Sequence, residues 1–134
     1  MPEFPAAAHH LALTVTNLDL SLPWYRQLFG VEPVFDEDEE SGRFHHVGFQ
    51  LAGGMLFALH THAATDKNDT FDEMRPGLDH ISFSCASRDE LEQWERRLTE
   101  LGIEHDGIVD RSYGSGLSFR DPDNVALEFF VPAP

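Results

Sequence analysis

Two histidines and one glutamate carry the clearest chemical pattern in this sequence. His10 and His80 lie seventy residues apart and each begins a segment that alternates apolar with polar or small residues, while Glu128 lies in a third such segment. Alternation separates the two faces of a β-strand, and in each segment the apolar residues fall opposite the histidine or glutamate. Two imidazoles and one carboxylate suit Fe, Mn, Ni, Co or Zn, and three protein ligands leave open positions, as catalytic metal sites do. The alternative is that both histidines are ordinary residues repeated by shared ancestry.

The spacing of the two histidines is part of a longer internal repeat. Equivalent apolar residues recur at the same distance in both halves of the 134-residue chain, namely Trp24 and Trp94, Leu28 and Leu98, Phe49 and Phe119. No linker or low-complexity segment separates the halves. The pattern predicts a single domain of residues 1–134, built from one module written twice, at about 9–62 and 79–132.

Each module is predicted to run strand, helix and then three strands. In the first, the segment 10–16 alternates as a half-buried strand, and a helix follows over about 19–29 with Asp19 or Ser21 as its cap. The predicted apolar face of this helix consists of Leu20, Trp24 and Leu28. In the second, Ser87 begins a capping box that opens another helix. The remaining strands are predicted near 33–36, 43–51, 54–62, 80–85, 104–109, 114–120 and 124–131. This order defines an α+β fold.

The composition argues against several classes of protein. A net charge of −15 would repel a phosphate backbone, so we expect no nucleic-acid partner. The lone Cys85 lies in an apolar strand pattern, which favours a buried thiol and a reducing compartment. No apolar stretch approaches the ~20 residues that span a bilayer, and the segment MPEFPAAAHH lacks the features of a signal peptide. The expectation is a cytoplasmic protein with no membrane partner.

Further polar and aromatic residues are predicted to share a face with the candidate ligands. Alternation places on that face His46, Gln50, His60, His62, Arg120 and Phe130. Arg120 either binds an anionic group of a substrate or pairs with an aspartate of the hairpin 121–124. Tyr113, in the loop SYGSG, is either a residue of the pocket rim or a surface tyrosine.

The sequence resembles the vicinal oxygen chelate superfamily in three segments, HHLALTVTNLDLSLPWYRQLFGVEPV, LDHISFSC and FRDPDNVALEFF. That superfamily includes glyoxalases, extradiol dioxygenases, fosfomycin-resistance enzymes and bleomycin-binding proteins. The resemblance covers nearly the whole chain. It implies two βαβββ modules whose eight strands form an open, curled mixed sheet with the helices outside, and frequent dimerisation. Carried onto matching positions, it implies His10, His80 and Glu128 as metal ligands.

Two positions depart from members of that superfamily. Glyoxalase-like members have a further glutamate ligand on the fourth strand, but the repeat maps Glu128 onto Ala58, which cannot bind a metal. His60 lies two residues further along the same face, about 6.6 Å away at the strand rise. It is either a fourth ligand, a catalytic base or a residue of the pocket wall. Fosfomycin-resistance members have a threonine where this chain has Ala12, which argues against that activity.

The leading hypothesis is a metal-dependent enzyme that binds two adjacent oxygens of a small organic substrate, with one divalent ion as Lewis acid. The reaction would be a lyase, isomerase or ring-cleaving dioxygenase step. The rival hypothesis is a metal-free protein that sequesters a hydrophobic or cationic small molecule, as bleomycin-binding relatives do. A homodimer is expected because exposed sheet edges in small modules usually need covering. The two modules of a chain either close one barrel together or exchange across the dimer.

Overall fold

The computed structural model describes residues 1–134 and contains two helices and eight strands. It divides into two units, Met1–Asp69 and Thr70–Pro134. Unit 1 contains β1 (His10–Thr14), α1 (Leu18–Phe29), β2 (Phe35–Asp38), β3 (Phe44–Gln50) and β4 (Leu56–His62). Unit 2 contains β5 (Ile81–Ser84), α2 (Arg88–Glu100), β6 (His105–Arg111), β7 (Gly114–Arg120) and β8 (Ala126–Pro132). The predicted α+β fold of two βαβββ modules is confirmed.

Each unit holds one four-stranded mixed sheet with the same connectivity. The strand order is β1-β4-β3-β2 in unit 1 and β5-β8-β7-β6 in unit 2. The first strand of each unit pairs in parallel with the last, and all other neighbours are antiparallel. A parallel pair needs a crossover connection, which begins in each unit with the helix. Register is also repeated, since Ala12 pairs with Ala58 as Ser82 pairs with Glu128.

Helix α1 begins earlier than the sequence predicts. Its N-cap is Asn17, whose side-chain oxygen accepts a hydrogen bond from the Asp19 N–H at 3.0 Å. The predicted caps, Asp19 and Ser21, lie inside the helix, and that prediction was wrong. Pro23 consequently lies beyond the first turn, at the sixth residue of the helix. Neither helix of the chain has the length and apolar character needed to cross a membrane.

The buried face of α1 also differs from the predicted one. Leu28 is buried as expected, but Leu20 is 60% exposed and the other buried residues are Ser21 and Tyr25. The Tyr25 ring is fully buried, with its centroid 5.2 Å from that of Phe57 on β4. This aromatic packing rotates the helix so that the Leu20 side chain meets solvent.

Helix α2 follows the prediction more closely. The Ser87 side chain accepts the Glu90 N–H at 3.2 Å, and the Glu90 carboxylate accepts the Ala86 N–H in return. This arrangement is a capping box in which the return hydrogen bond comes from Ala86, the residue before the N-cap, instead of from Ser87 itself. Leu91 and Leu98 are fully buried on the face that packs against the sheet of unit 2.

Strand β6 carries a bulge that α2 holds in place. The pairing register shifts between His105 and Ile108, and Gly107 between them has a φ of 75°. Glu95 on α2 accepts the Ile108 N–H at 3.0 Å, and His105 Nδ1 accepts the Gly107 N–H at 3.1 Å. His105 Nε2 lies 2.8 Å from the Thr99 hydroxyl, so the bulge is fixed to the helix from two sides.

Candidate metal and substrate site

The Glu128 carboxylate lies in a cradle formed by the strands on either side of β8. Oε1 accepts a hydrogen bond from the Ser82 hydroxyl of β5 at 2.8 Å. On the other side, a Cβ added to Gly116 of β7 would come within 2.7 Å of Oε2. The carboxylate therefore occupies space that a residue with a side chain at position 116 would take. A glutamate with one oxygen held and the other free is suited to ligate a divalent cation.

Glu128 borders a cavity of about 160 Å³ within unit 2. One wall is aromatic, since the rings of Tyr113 and Phe130 lie 6.2 Å apart with 27° between their planes. The Phe130 ring fills the space beside Gly114, where a Cβ would collide with it. Arg111 supplies the only basic side chain of the lining. Unit 2 thus brings Glu128, Phe130 and Tyr113 to the border of one cavity, with Tyr113 64% exposed.

His80 lies directly before β5 rather than inside it, so the predicted strand starts one residue later, at Ile81. Its Nδ1 is 2.6 Å from Oδ1 of Asp79. The ring is half exposed, with 49% of the side chain accessible to solvent. No hydrogen bond engages Nε2, which is therefore available to a ligand.

His10 is the first residue of β1 and pairs in register with Leu56. Its Nδ1 lies 2.8 Å from Nδ1 of His9, with the two rings nearly perpendicular. As at His80, the hydrogen bond is made to the neighbour that precedes it in the chain, and Nε2 has no partner in the structure.

Three further histidines, His46, His60 and His62, form an imidazole cluster on the sheet of unit 1. The His60 ring centroid is 5.6 Å from that of His46 and 6.1 Å from that of His62, and the ring stacks on Phe44. Burial, and then the neighbouring charges of His46, His62 and His10, lower the pKa of His60 below its ordinary value of 6.5. The His60 ring is consequently neutral near pH 7 and able to accept a proton.

The remaining substrate-site candidates have partners within their own units. Arg120 forms a bidentate ion pair with Glu73, at 2.9 and 2.7 Å, which is neither of the two alternatives that its sequence position suggests. These hydrogen bonds lower the pKa of Glu73 to about 2. Gln50 donates to the Gly54 carbonyl at 2.7 Å, at the turn that joins β3 to β4.

Within each unit, no group of three or more His, Cys, Asp or Glu side chains is arranged to hold a metal ion. His10 belongs to unit 1, whereas His80 and Glu128 belong to unit 2. The three-ligand set therefore stays a prediction. Cys85 adds no ligand: it is buried, and burial followed by the charge of Glu90 raises the pKa of its thiol to about 11.

Several residues of the site were not recognised from the sequence. Asp79 and His9 become visible only through their contacts with the histidines that follow them. Gly116 did have a signal, since glycine inside a strand often marks the close approach of another group. Arg111 had none, because the bulge in β6 sets which of its residues reach the cavity.

The chain belongs to the glyoxalase/bleomycin resistance protein/dioxygenase superfamily, whose family model matches residues 7–129. Two relatives from Bacillus species illustrate its range. The "Trivalent organoarsenical cleaving enzyme" of Bacillus sp. (strain MD1) is 30% identical over 127 residues, covering 90% of this chain and 70% of that protein. The "Putative ring-cleaving dioxygenase MhqA" of Bacillus subtilis (strain 168) is 29% identical over 84 residues. That match covers 61% of this chain and only 26% of the length of MhqA.

Solved structures agree with the family assignment. The glyoxylase/bleomycin resistance protein/dioxygenase domain from Frankia sp. EAN1pec is 33% identical, with a TM-score of 0.86 over 97% of this chain and all of that one. The fosfomycin resistance protein FosX from Listeria monocytogenes, solved with Mn(II) and sulfate, has a TM-score of 0.68. It is 18% identical over 97% of this chain and 95% of its own, a likeness that shows the fold alone.

Proposed function

We propose that this protein is a metal-dependent enzyme that acts on a small organic substrate bearing two adjacent oxygens. One observation carries the proposal: Glu128 is held by Ser82 in a glycine cradle and borders a cavity with an aromatic wall. The proposed ligands are His10, His80 and Glu128, with a divalent ion of the Fe, Mn, Ni, Co or Zn type. When bound, such an ion acts as a Lewis acid on the substrate oxygens.

The cavity favours a substrate about the size of one ring. Its volume of about 160 Å³ is well below the roughly 300–1,000 Å³ of pockets that take drug-sized ligands. The Tyr113 and Phe130 rings offer a flat apolar wall, and Arg111 provides a positive charge for a substrate oxygen. A ring-cleaving or related reaction on an oxygenated ring is consistent with these features, and with the relative named for ring cleavage.

The chain's own residues have separate roles in this proposal. Tyr113 and Phe130 position the substrate, Arg111 binds a negative oxygen, and the neutral ring of His60 is the candidate proton acceptor. Cleavage of an organoarsenical has less support here. Trivalent arsenic is a soft, thiol-seeking centre, and the single cysteine of this chain is buried and protonated at neutral pH.

A metal-free binding protein is the second candidate, and one observation favours it. Unit 1 has no carboxylate at the position equivalent to Glu128, because Ala58 lies there, 3% exposed. The stacked rings of Tyr113 and Phe130 would then bind a cationic or apolar molecule on an acidic protein. In that case no metal ligand is needed.

Metal content separates the two candidates. Protein purified without an affinity tag should contain about one divalent ion per chain by elemental analysis, and His80→Ala should lose it. The matched control is His62→Ala, which removes an imidazole outside the proposed ligand set. Metal well below one ion per chain, and unchanged in His80→Ala, would overturn the enzyme proposal. Oxygen uptake with a single-ring catechol then tests ring cleavage against isomerase or lyase chemistry.

A further inference from the structure

We propose that Asp79 and His9 are positioning residues that hold Nδ1 of His80 and His10, respectively, and so reserve Nε2 of each ring for the metal. The proposal rests on the proposed function in taking both histidines as ligands. Each positioning residue immediately precedes its histidine, and the two stand at equivalent places in the repeat.

The Asp79 contact determines where the proton of the His80 ring lies. Nδ1 is 2.6 Å from Oδ1 of Asp79, and an ionised carboxylate can only accept a hydrogen bond. In the neutral ring Nδ1 therefore carries the hydrogen and donates it, which leaves a lone pair on Nε2. A carboxylate on the second nitrogen also raises the basicity of a metal-ligating imidazole.

The His9 contact has the same geometry with a weaker partner. Nδ1 of His9 and Nδ1 of His10 are 2.8 Å apart, so one of them donates and the other accepts. For His10 to bind a metal through Nε2, its own Nδ1 must be the donor and His9 the acceptor. His9 is then a neutral acceptor, whereas Asp79 is an anionic one, and charge-assisted hydrogen bonds are the stronger kind.

These contacts are better explained by orientation than by stability. The Asp79 and His80 side chains are 72% and 49% exposed, and even an ion pair at such exposure contributes little to folding. Nevertheless, both units place an acceptor-capable side chain on Nδ1 of the histidine at the start of the first strand, although the residue types differ. A shared contact made by different residues indicates that the orientation of the ring is what the contact provides.

The test uses Asp79→Ala, Asp79→Asn and His9→Ala with two readouts. In metal-free protein, nitrogen NMR of the neutral His80 ring should place the hydrogen on Nδ1 in the wild type, and Asp79→Ala should shift it towards Nε2. Zn(II) affinity, measured by competition with a chelator, should fall about 10- to 100-fold in Asp79→Ala. The Zn(II) affinity of Asp79→Asn should fall less, because the amide oxygen can still accept the Nδ1 hydrogen bond. His9→Ala should also lose less Zn(II) affinity than Asp79→Ala.

The matched control is Asp38→Ala, which removes a carboxylate 2.9 Å from Nδ1 of His45, a histidine outside the ligand set. It should leave Zn(II) affinity unchanged. A hydrogen on Nε2 of His80 in the wild type, or wild-type Zn(II) affinity in Asp79→Ala, would overturn the proposal. If His80→Ala binds Zn(II) with wild-type affinity, His80 is not a ligand and the proposed function fails. The tautomer of His80 in the metal-free wild type still decides whether Asp79 positions the ring.

Discussion

The two units share their connectivity and register, yet the corresponding faces of their sheets bear different chemistry. In unit 2 the paired residues Ser82 and Glu128 hold a carboxylate, whereas the equivalent pair in unit 1 is Ala12 and Ala58. In return, unit 1 carries the imidazole cluster, with His60 at the position that Phe130 has in unit 2. Duplication has thus kept the backbone while the side chains on one face of the sheet diverged.

The helices show a similar divergence at one position. Tyr25 of α1 is fully buried against aromatic rings, while its equivalent on α2 is Glu95, which accepts the Ile108 N–H of the β6 bulge. One helix stabilises its unit through apolar packing, and the other also fixes the wall of the cavity beside Glu128. The difference shows that equivalent positions in a repeat can move from core packing to shaping a site.

The largest expected effect concerns the carboxylate that only unit 2 has. Glu128→Gln should weaken metal binding by more than about 100-fold, exceeding the effect of losing a residue that merely orients a ligand. His60→Gln in unit 1 should weaken it by no more than about tenfold. Titration of the metal-free variants with Mn(II) measures both. Equal losses would mean that unit 1 contributes a fourth ligand, and the contrast between the units would disappear.

The next largest effect is on the free energy of unfolding, and it differs between equivalent buried positions of the two helices. Leu91→Ala should lower the free energy of unfolding by about 2–5 kcal/mol, because it leaves a cavity at a fully buried leucine. Its equivalent, Ser21, is buried with a hydroxyl that lacks a hydrogen-bond partner. Ser21→Ala should therefore raise stability, by up to about 1 kcal/mol. Urea denaturation gives both values, and a destabilised Ser21→Ala would show that the hydroxyl has a partner.

A third comparison concerns two strand glycines, Gly48 and Gly116, at which an added side chain would meet different kinds of neighbour. A side chain at Gly48 in unit 1 would collide with the Phe35 ring, so Gly48→Ala should cost about 1–3 kcal/mol of stability. Gly116→Ala in unit 2 meets the movable end of Glu128 instead, and should change stability little while weakening metal binding. Thermal melts with and without Mn(II) distinguish the two. A large loss of stability in metal-free Gly116→Ala would contradict this assignment.

The smallest effects are dependences on pH, and they have opposite signs in the two units. Hydrogen bonds from His45 to Asp38 and then Asp36 raise the pKa of His45 above 6.5. The stability this gives is complete below pH 6.5 and is lost as the pH rises through the raised pKa. The pKa of Glu73 is lowered to about 2, so Glu73 contributes to folding stability above pH 4.5. That stability is lost as the pH falls towards 2.

Urea midpoints across the pH range check both signs. The difference between wild type and His45→Gln should shrink on the alkaline side, and the difference between wild type and Arg120→Ala should shrink on the acidic side. Both differences should be small because the ion pairs are exposed to solvent. A difference that grows with pH for His45→Gln would show that the ring is neutral in the folded protein.

The sequence predicted the fold because two independent patterns agreed, the seventy-residue repeat and the alternation within each strand. It placed Glu128 and Phe130 on one face, and both residues border one cavity in unit 2. The prediction failed at α1, where the four-residue spacing of Leu20, Trp24 and Leu28 was less decisive than the burial of Tyr25. Contacts between distant side chains, such as Arg120 with Glu73, leave no periodic signal and could not be predicted.

Strands β2 and β6, which form one of the two edges of each sheet, bear on how this chain behaves at high concentration. An unpaired strand exposes a row of amide and carbonyl groups on which another chain can add, which is the first step towards fibrils. Strand β2 is only four residues long and carries three carboxylates, and β6 is interrupted by its helix-anchored bulge. Both features oppose such addition at the β2 and β6 edges.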